Sequence, residues 1–209
     1  MSTVLVLTSS ALGAESVSSR LVQAAVSGLR RSDPGLSVIA RDLGADPVPH
    51  LTKDSAAVLR GAEPSNFAQM EALALSNDLI DELKAADTII IGAPMYNFGI
   101  ASTLKAWFDN VLRAGVTFRY GENGPEGLLK GARAVVIESR GGLYSEGPAA
   151  AMDSQEPHLR TLLGFVGITD VTFIRAERLA FGPEVRDKAI EAANDELGQL
   201  IESGFAGVA

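Results

Sequence analysis

The sequence predicts an α/β domain: a doubly wound, five-stranded parallel sheet with helices on both faces. Three observations carry this. Five short runs rich in Val, Ile and Leu recur along the 209 residues. Several are apolar throughout rather than alternating, as strands buried on both faces must be. Between successive runs lies enough chain for a crossover helix, which parallel strands require.

The elements follow in order. Thr3 to Leu7 (TVLVL) is the first expected strand, and Val17, Leu21, Ala25 and Leu29 then share one face of a helix. Ser37 to Arg41 (SVIAR) is a weaker strand. Ala45 to Phe67 carries Pro47, Pro49 and Pro64, so its first part reads as loop. Met70, Leu73, Ile80 and Leu83 mark the second helix, and Thr88 to Gly92 (TIIIG) the third strand. Leu104, Phe108, Val111 and Leu112 line a third helix, with Gly115 placed to end it. Gly115 to Gly131 contains Pro125 and several glycines and no helical period, and reads as a long loop. Ala134 to Glu138 (AVVIE) and Val171 to Arg175 (VTFIR) are the last two strands. His158 to Phe165 and Val185 to Ile201 supply the remaining helices. No repeat or linker divides the chain, so 1–209 reads as one domain.

Composition narrows the function classes. The chain has no Cys, which excludes disulfides, thiolate nucleophiles and Cys-ligated metal. The N-terminal apolar run spans only Val4 to Leu7, too short for a signal peptide or a membrane span. A cytoplasmic protein is expected. A net charge of −8 argues against nucleic acid and anionic membranes as partners. His50 and His158 read as solvated or capping residues. There is no G-x-S-x-G elbow, no spacing for a metal site, and no expected catalytic side chain.

In an open parallel sheet, ligands bind beyond the carboxyl ends of the strands. The loop after the first strand, Thr8 to Ser19, carries five Ser and one Thr and runs into a helix. Hydroxyls, free N–H groups and the helix dipole suit an anion there; a plain helix cap by Ser16 or Ser18 accounts for the same residues. The loop after the third strand is Ala93-Pro94-Met95-Tyr96-Asn97-Phe98-Gly99. Its aromatics can flank a flat ring, and Asn97 can meet a heterocycle edge. Alternatively, Met95 and Phe98 pack into the core. After the fourth strand comes Ser139-Arg140-Gly141-Gly142, where paired glycines allow close backbone approach or form a simple turn.

The block from Ala93 to Leu128, with SRGG (Ser139 to Gly142), LGFVGITDV (Leu163 to Val171) and the Ser pattern from Ser9, resembles the bacterial FMN-dependent NADH-azoreductases, a branch of the flavodoxin-like NAD(P)H quinone reductases. The likeness spans essentially the whole chain. It implies a flavodoxin-like fold holding FMN. By this resemblance Ser10, Ser16, Val17 and Ser18 match the phosphate loop. Met95, Tyr96, Asn97 and Phe98 match the segment along the isoalloxazine ring, and Ser139, Arg140, Gly141 and Gly142 the loop at its pyrimidine edge. Phe98, Tyr120 and Phe165 are candidates for an aromatic substrate wall. Tyr144 to Pro157 matches the family poorly, leaving substrate preference open.

The implied activity passes two electrons from NADH or NADPH through FMN to azo compounds or quinones, in a ping-pong order, within a homodimer. Arg119 and Arg140 could each attract the 2′-phosphate of NADPH or be a plain surface charge, so the choice between NADH and NADPH stays open. The alternative is a flavodoxin-type electron carrier with no NAD(P)H pocket of its own.

Overall fold

The computed structural model describes residues 2–204, with the backbone alone for Ala14. The first residue and 205–209, included in the expected domain, lie outside the described residues. In chain order the elements are β1 (Thr3–Thr8), α1 (Val17–Ser32), β2 (Ser37–Asp42), α2 (Lys53–Leu59), α3 (Phe67–Ala85), β3 (Thr88–Pro94), α4 (Ser102–Val111), β4 (Phe118–Gly121), β5 (Gly124–Gly127), β6 (Arg133–Ser139), α5 (Glu156–Val166), β7 (Asp170–Ala176) and α6 (Pro183–Glu202).

β2, β1, β3, β6 and β7 form, in that spatial order, the five-stranded parallel sheet. The chain steps from β1 outward to β2, then returns to add β3 on the other side of β1. That reversal opens a crevice at the carboxyl ends of β1 and β3.

Alternation along each central strand feeds two cores, because successive side chains leave a strand on opposite faces. Val4, Val6, Ile90, Val135 and Ile137 pack beneath Leu21, Leu29, Leu197 and Leu200 of α1 and α6. Leu5, Leu7, Ile89, Ile91 and Val136 meet Leu79, Ile80, Leu83, Leu104, Trp107 and Leu159 of α3, α4 and α5. Each such aliphatic side chain contributes roughly 1.5–3 kcal/mol on burial.

Four expectations change. β3 runs on through Ala93 and Pro94, which pair with Glu138 and Ser139, so the loop begins at Met95. On α3, Met70 is exposed and Leu79 lies in the core, because the helix offers a broader stripe than the four residues chosen. α4 ends at Val111, short of Gly115; Gly115, with φ of 77°, instead donates its N–H to the Phe118 carbonyl and turns the chain into β4.

The fourth change is the stretch from Gly115 to Gly131. It is an antiparallel hairpin of β4 and β5, turning at Glu122 and Asn123. The Asn123-Gly124 pair is its sequence signal, with Gly124 at φ of 108°. Helix α2 was also unread. It is only seven residues long, and a hydroxyl capping box between Thr52 and Ser55 starts it.

The hairpin docks against the end of α5. The Leu129 N–H donates to the Val166 carbonyl (2.9 Å). A methyl group at Gly127 would lie 2.1 Å from the Gly167 nitrogen, so the two backbones touch. Neither side is a flexible side chain that could yield. We predict that Gly127→Ala destabilises the protein by about 1–3 kcal/mol, read by urea denaturation; an unchanged midpoint would show that the hairpin does not depend on this approach.

Candidate functional site

Three loops converge at the crevice. The first follows β1. Ser9 donates its hydroxyl to the Gly92 carbonyl (2.9 Å), fixing the loop against β3. Gly44, after β2, comes so close that a methyl group there would lie 2.1 Å from the Ser10 carbonyl oxygen. Ser16 caps α1 by accepting the Ser19 N–H (3.2 Å), and its hydroxyl lies 3.1 Å from that of Ser18. The cap foreseen as an alternative is therefore present. It leaves the Val17 and Ser18 N–H groups without acceptors among the described residues, at the positive end of a 16-residue helix. Val17 turns its side chain into the core, so only its N–H is available to an anion.

The second loop follows β3. Tyr96 and Gly99 exchange backbone hydrogen bonds of 3.0 and 3.1 Å, closing a two-residue turn. Its central residues, Asn97 and Phe98, have φ of 48° and 73°. That conformation suits Gly and, less well, Asn. For Phe it is strained by about 1–2 kcal/mol. Outside ties hold it: the Phe98 carbonyl accepts the Ser154 N–H (3.0 Å), and the Met95 N–H donates to the Ser139 carbonyl (2.9 Å). Phe98 stays exposed rather than packing into the core. The Tyr96 hydroxyl accepts the Ala11 N–H (3.0 Å) and lies 3.2 Å from the Ser10 hydroxyl. Tyr96 is thus the tie between the first two loops.

The third loop corrects one expected contact. Arg140 does not face the crevice; it is fully buried. Its guanidinium meets Glu138 (2.5 Å), Asp153 (3.1 Å) and Glu177 (3.2 Å), and its Nε donates to Gln155 Oε1 (3.0 Å). Its N–H donates to the Ala176 carbonyl and its own carbonyl accepts from Leu179. No polar group of Arg140 is left for a ligand, because a buried charge must be matched inside the protein. The 2′-phosphate role goes with it. Arg119 is paired with Glu126 across the hairpin (2.7 Å). Gly141 and Gly142 do offer N–H groups without acceptors among the described residues, while their carbonyls accept from Ala180 and Arg178.

The three wall candidates fall into two ring clusters. Tyr120 and Phe165 both meet Phe118, at centroid distances of 5.6 and 4.6 Å. Phe98 instead meets Tyr144 edge-on at 6.0 Å.

Sequence reasoning missed Gln155, Glu138, Glu177 and Tyr144. Gln155 is fully buried and donates to the Ala93 carbonyl (2.8 Å) while accepting from Arg140. It joins the ends of β3 and β6. Only Glu138 had a signal: an acid closing the apolar run AVVIE, within a strand expected to be buried on both faces.

Burial pushes the Glu138 carboxyl up to about 7, with Glu156 and Asp153 adding to the push against the pull of Arg140. Its Oε1 has no hydrogen-bond partner among the described residues. Burial also opposes ionisation of Glu177, but hydrogen bonds from Ser145, Tyr144 and Arg140 outweigh it and hold that carboxyl below its usual range. Glu138 is therefore the member of the cluster that holds a proton near neutrality.

With this geometry in place, the relatives can be stated. A family model described as "Flavodoxin-like fold" matches residues 2–201. The chain belongs to this family. It is 59% identical over 203 residues to an FMN-dependent NADH:quinone oxidoreductase from Hyphomonas neptunium, covering 97% of each chain. Its structure is similar to an azoreductase from Bacillus anthracis str. Sterne, with TM-score 0.88 and 26% identity over 97% of this chain and 100% of that one. A second likeness is an FMN-dependent NADH-azoreductase from Bacillus anthracis str. Ames Ancestor, solved in complex with FMN. There the TM-score is 0.84 and the identity 25%, over 96% of this chain and 99% of that one.

Two predictions follow from the strained turn and the buried acid. At Phe98, Gly will outperform Ala: Phe98→Gly should be more stable than Phe98→Ala by about 1 kcal/mol in urea denaturation, because only Gly accepts the positive φ without strain. The usual order, Ala above Gly, would show that the turn is not held in this conformation. For Glu138, the folded value lies above the unfolded one, so its contribution to stability is present below about 4.5 and lost as pH rises through about 7. The stability of the wild type relative to Glu138→Gln should therefore fall by on the order of 3 kcal/mol between pH 4.5 and 8. A difference flat with pH would mean that Glu138 is ionised throughout.

Proposed function

We propose that this chain, acting as one domain, is an FMN-dependent NADH:quinone oxidoreductase that also reduces azo compounds. The observation that carries the reading is the distribution of donors around one crevice. Neutral N–H and hydroxyl groups at Val17, Ser16 and Ser18 suit a phosphate at one end. The Gly141 and Gly142 N–H groups, without acceptors among the described residues, follow β6, and the Tyr96–Phe98 turn follows β3, which lies between β1 and β6. A phosphorylated flat heterocycle fits that order, and the names of the relatives supply its identity.

Bound FMN would supply the acceptance of a hydride from NADH and its delivery, as two electrons, to the acceptor. The residues of this chain hold and orient. Ser10, Ser16, Ser18 and the first-turn N–H groups of α1 hold the phosphate; Met95, Tyr96, Asn97 and Phe98 lie along the ring. The Gly141 and Gly142 N–H groups would donate to the carbonyl edge and stabilise negative charge there. No side-chain acid or base is required. Donor and acceptor would use the same face in turn, which is a ping-pong order. NADH is the donor that the relatives' names give, and of the two cations considered for a 2′-phosphate, Arg140 is buried.

The exposed side chains of Leu51, Phe67 and Met70 give apolar surface that a second copy of the chain would cover; a homodimer fits them. Among the described residues no helix is long and apolar enough to cross a membrane, and with the absence of Cys a cytoplasmic site is the simplest reading. The electron-carrier alternative has less support. The relatives described above bear enzyme names, and Phe98 with Tyr144 beside the double-glycine loop suits a small flat acceptor.

The reading is tested with purified protein and FMN. The expected result is flavin absorbance that survives desalting, bleaching by NADH with no partner protein, and recovery on adding 1,4-benzoquinone. Initial rates with both substrates varied should give parallel double-reciprocal lines. Bleaching that is absent or needs a partner protein would favour the carrier; protein that stays colourless would reject flavin binding altogether.

A further inference from the structure

Tyr144 is half-buried beside the double-glycine loop. A methyl group at Gly142 would lie 2.9 Å from Cε2 and Cζ of Tyr144 and 3.0 Å from its hydroxyl. The hydroxyl end of the ring therefore rests on the Gly142 backbone. This explains Gly142 in part: the ring of Tyr144 occupies the space a side chain would need. The same ring stands edge-on to Phe98, at an interplanar angle of 81°.

The backbone beneath it is anchored. The Tyr144 N–H donates to Glu177 Oε1 (2.8 Å), the oxygen that also meets Arg140 (3.2 Å). The Ser145 N–H and hydroxyl bind Glu177 as well, at 3.1 and 2.5 Å. The ring is thus mounted on the buried Arg140 cluster. Its hydroxyl, by contrast, has no hydrogen-bond partner among the described residues. A phenol both donates and accepts, and this one is held where the Phe98 and Gly142 sides of the site meet.

We propose that Tyr144 is a specificity residue that favours quinones over azo compounds by donating its hydroxyl hydrogen to a quinone carbonyl. This rests on the functional reading above. A quinone presents carbonyl oxygens at its rim, where a donor at the side of the site reaches them. An azo bond lies between two aryl groups, and its nitrogen lone pairs, flanked by ortho C–H groups, are weaker acceptors than a quinone oxygen. A donor that gains more from a carbonyl oxygen than from an azo nitrogen favours the quinone.

The test is Tyr144→Phe, which keeps the ring and its contacts and removes only the hydroxyl. In the FMN-loaded protein, kcat/KM for 1,4-benzoquinone should fall by about three- to tenfold, the effect of one neutral hydrogen bond. The value for the azo dye 4-dimethylaminoazobenzene, which carries no carboxylate or carbonyl, should hold within about twofold, below the effect of one such bond. Without turnover, binding of anthraquinone-2-sulfonate to the oxidised protein, followed by the flavin absorbance change, should weaken by the same factor as the benzoquinone loss. The dissociation constant of FMN should not move. Equal losses for both acceptors, or no loss in quinone binding, overturn the proposal while leaving the function intact. A wild-type protein without NADH-driven quinone reduction overturns the functional reading and this one with it, and that result precedes any variant.

Discussion

Arg140 keeps its charge with no exposure to water. Leaving such a charge unmatched costs several kcal/mol, so the surrounding chain is obliged to bring partners to it. The partners come from different places: Glu138 from the end of β6, Asp153 and Gln155 from the segment before α5, and Glu177 from the end of β7. Gln155 extends the connection to the Ala93 carbonyl at the end of β3. One guanidinium therefore sets the relative position of three strand ends and the segment between β6 and α5. Removing a partner from such a cluster costs on the order of 3–5 kcal/mol, which makes alternative loop arrangements expensive. The Asp153 carboxylate has a second duty, since it also accepts the Gln155 and Glu156 N–H groups at the start of α5.

That rigidity lets the turn at Asn97 and Phe98 persist. Two consecutive non-glycine residues at positive φ are held by the Tyr96–Gly99 bridge, by Ser154 and by Ser139. Strain of this kind survives only where the surroundings over-determine it, and such places gather at functional sites. On its other side the turn is fastened to the first loop through the Tyr96 hydroxyl. The free N–H groups of α1, the Tyr96–Gly99 turn and the two glycine N–H groups are thus arranged before any ligand arrives. Preorganisation of this sort lowers the entropic cost of binding.

The strands were legible because their pattern is local: TVLVL, TIIIG and AVVIE state burial on both faces by themselves. The first loop was legible through its hydroxyls, and the cap foreseen for Ser16 is present, with the Ser18 hydroxyl beside it. The hairpin was not, because β4 and β5 have four residues each and their glycines read as loop. Arg140 was misplaced for a deeper reason. An Arg beside two glycines at a strand end looks like a surface or ligand-facing cation. Its burial depends on Glu177 and Gln155, which are 37 and 15 residues away. Gln155 itself carried no signal at all, since a glutamine in a polar stretch is ordinarily exposed.

The sequence by itself determined the layered α/β architecture, the two-sided burial of the sheet and the crevice end at which a ligand must sit. Hydrophobic periodicity and the handedness of β-α-β connections act over short spans and leave few topologies. Only the tertiary structure decided which residues of the three loops face a ligand and which hold the loops together. Tyr96 became a tie, Arg140 an internal counterion and Tyr144 a half-buried ring seated on Gly142. Those roles follow from pairings between segments far apart in the chain, where the requirement to match every buried charge and polar group is met only after folding.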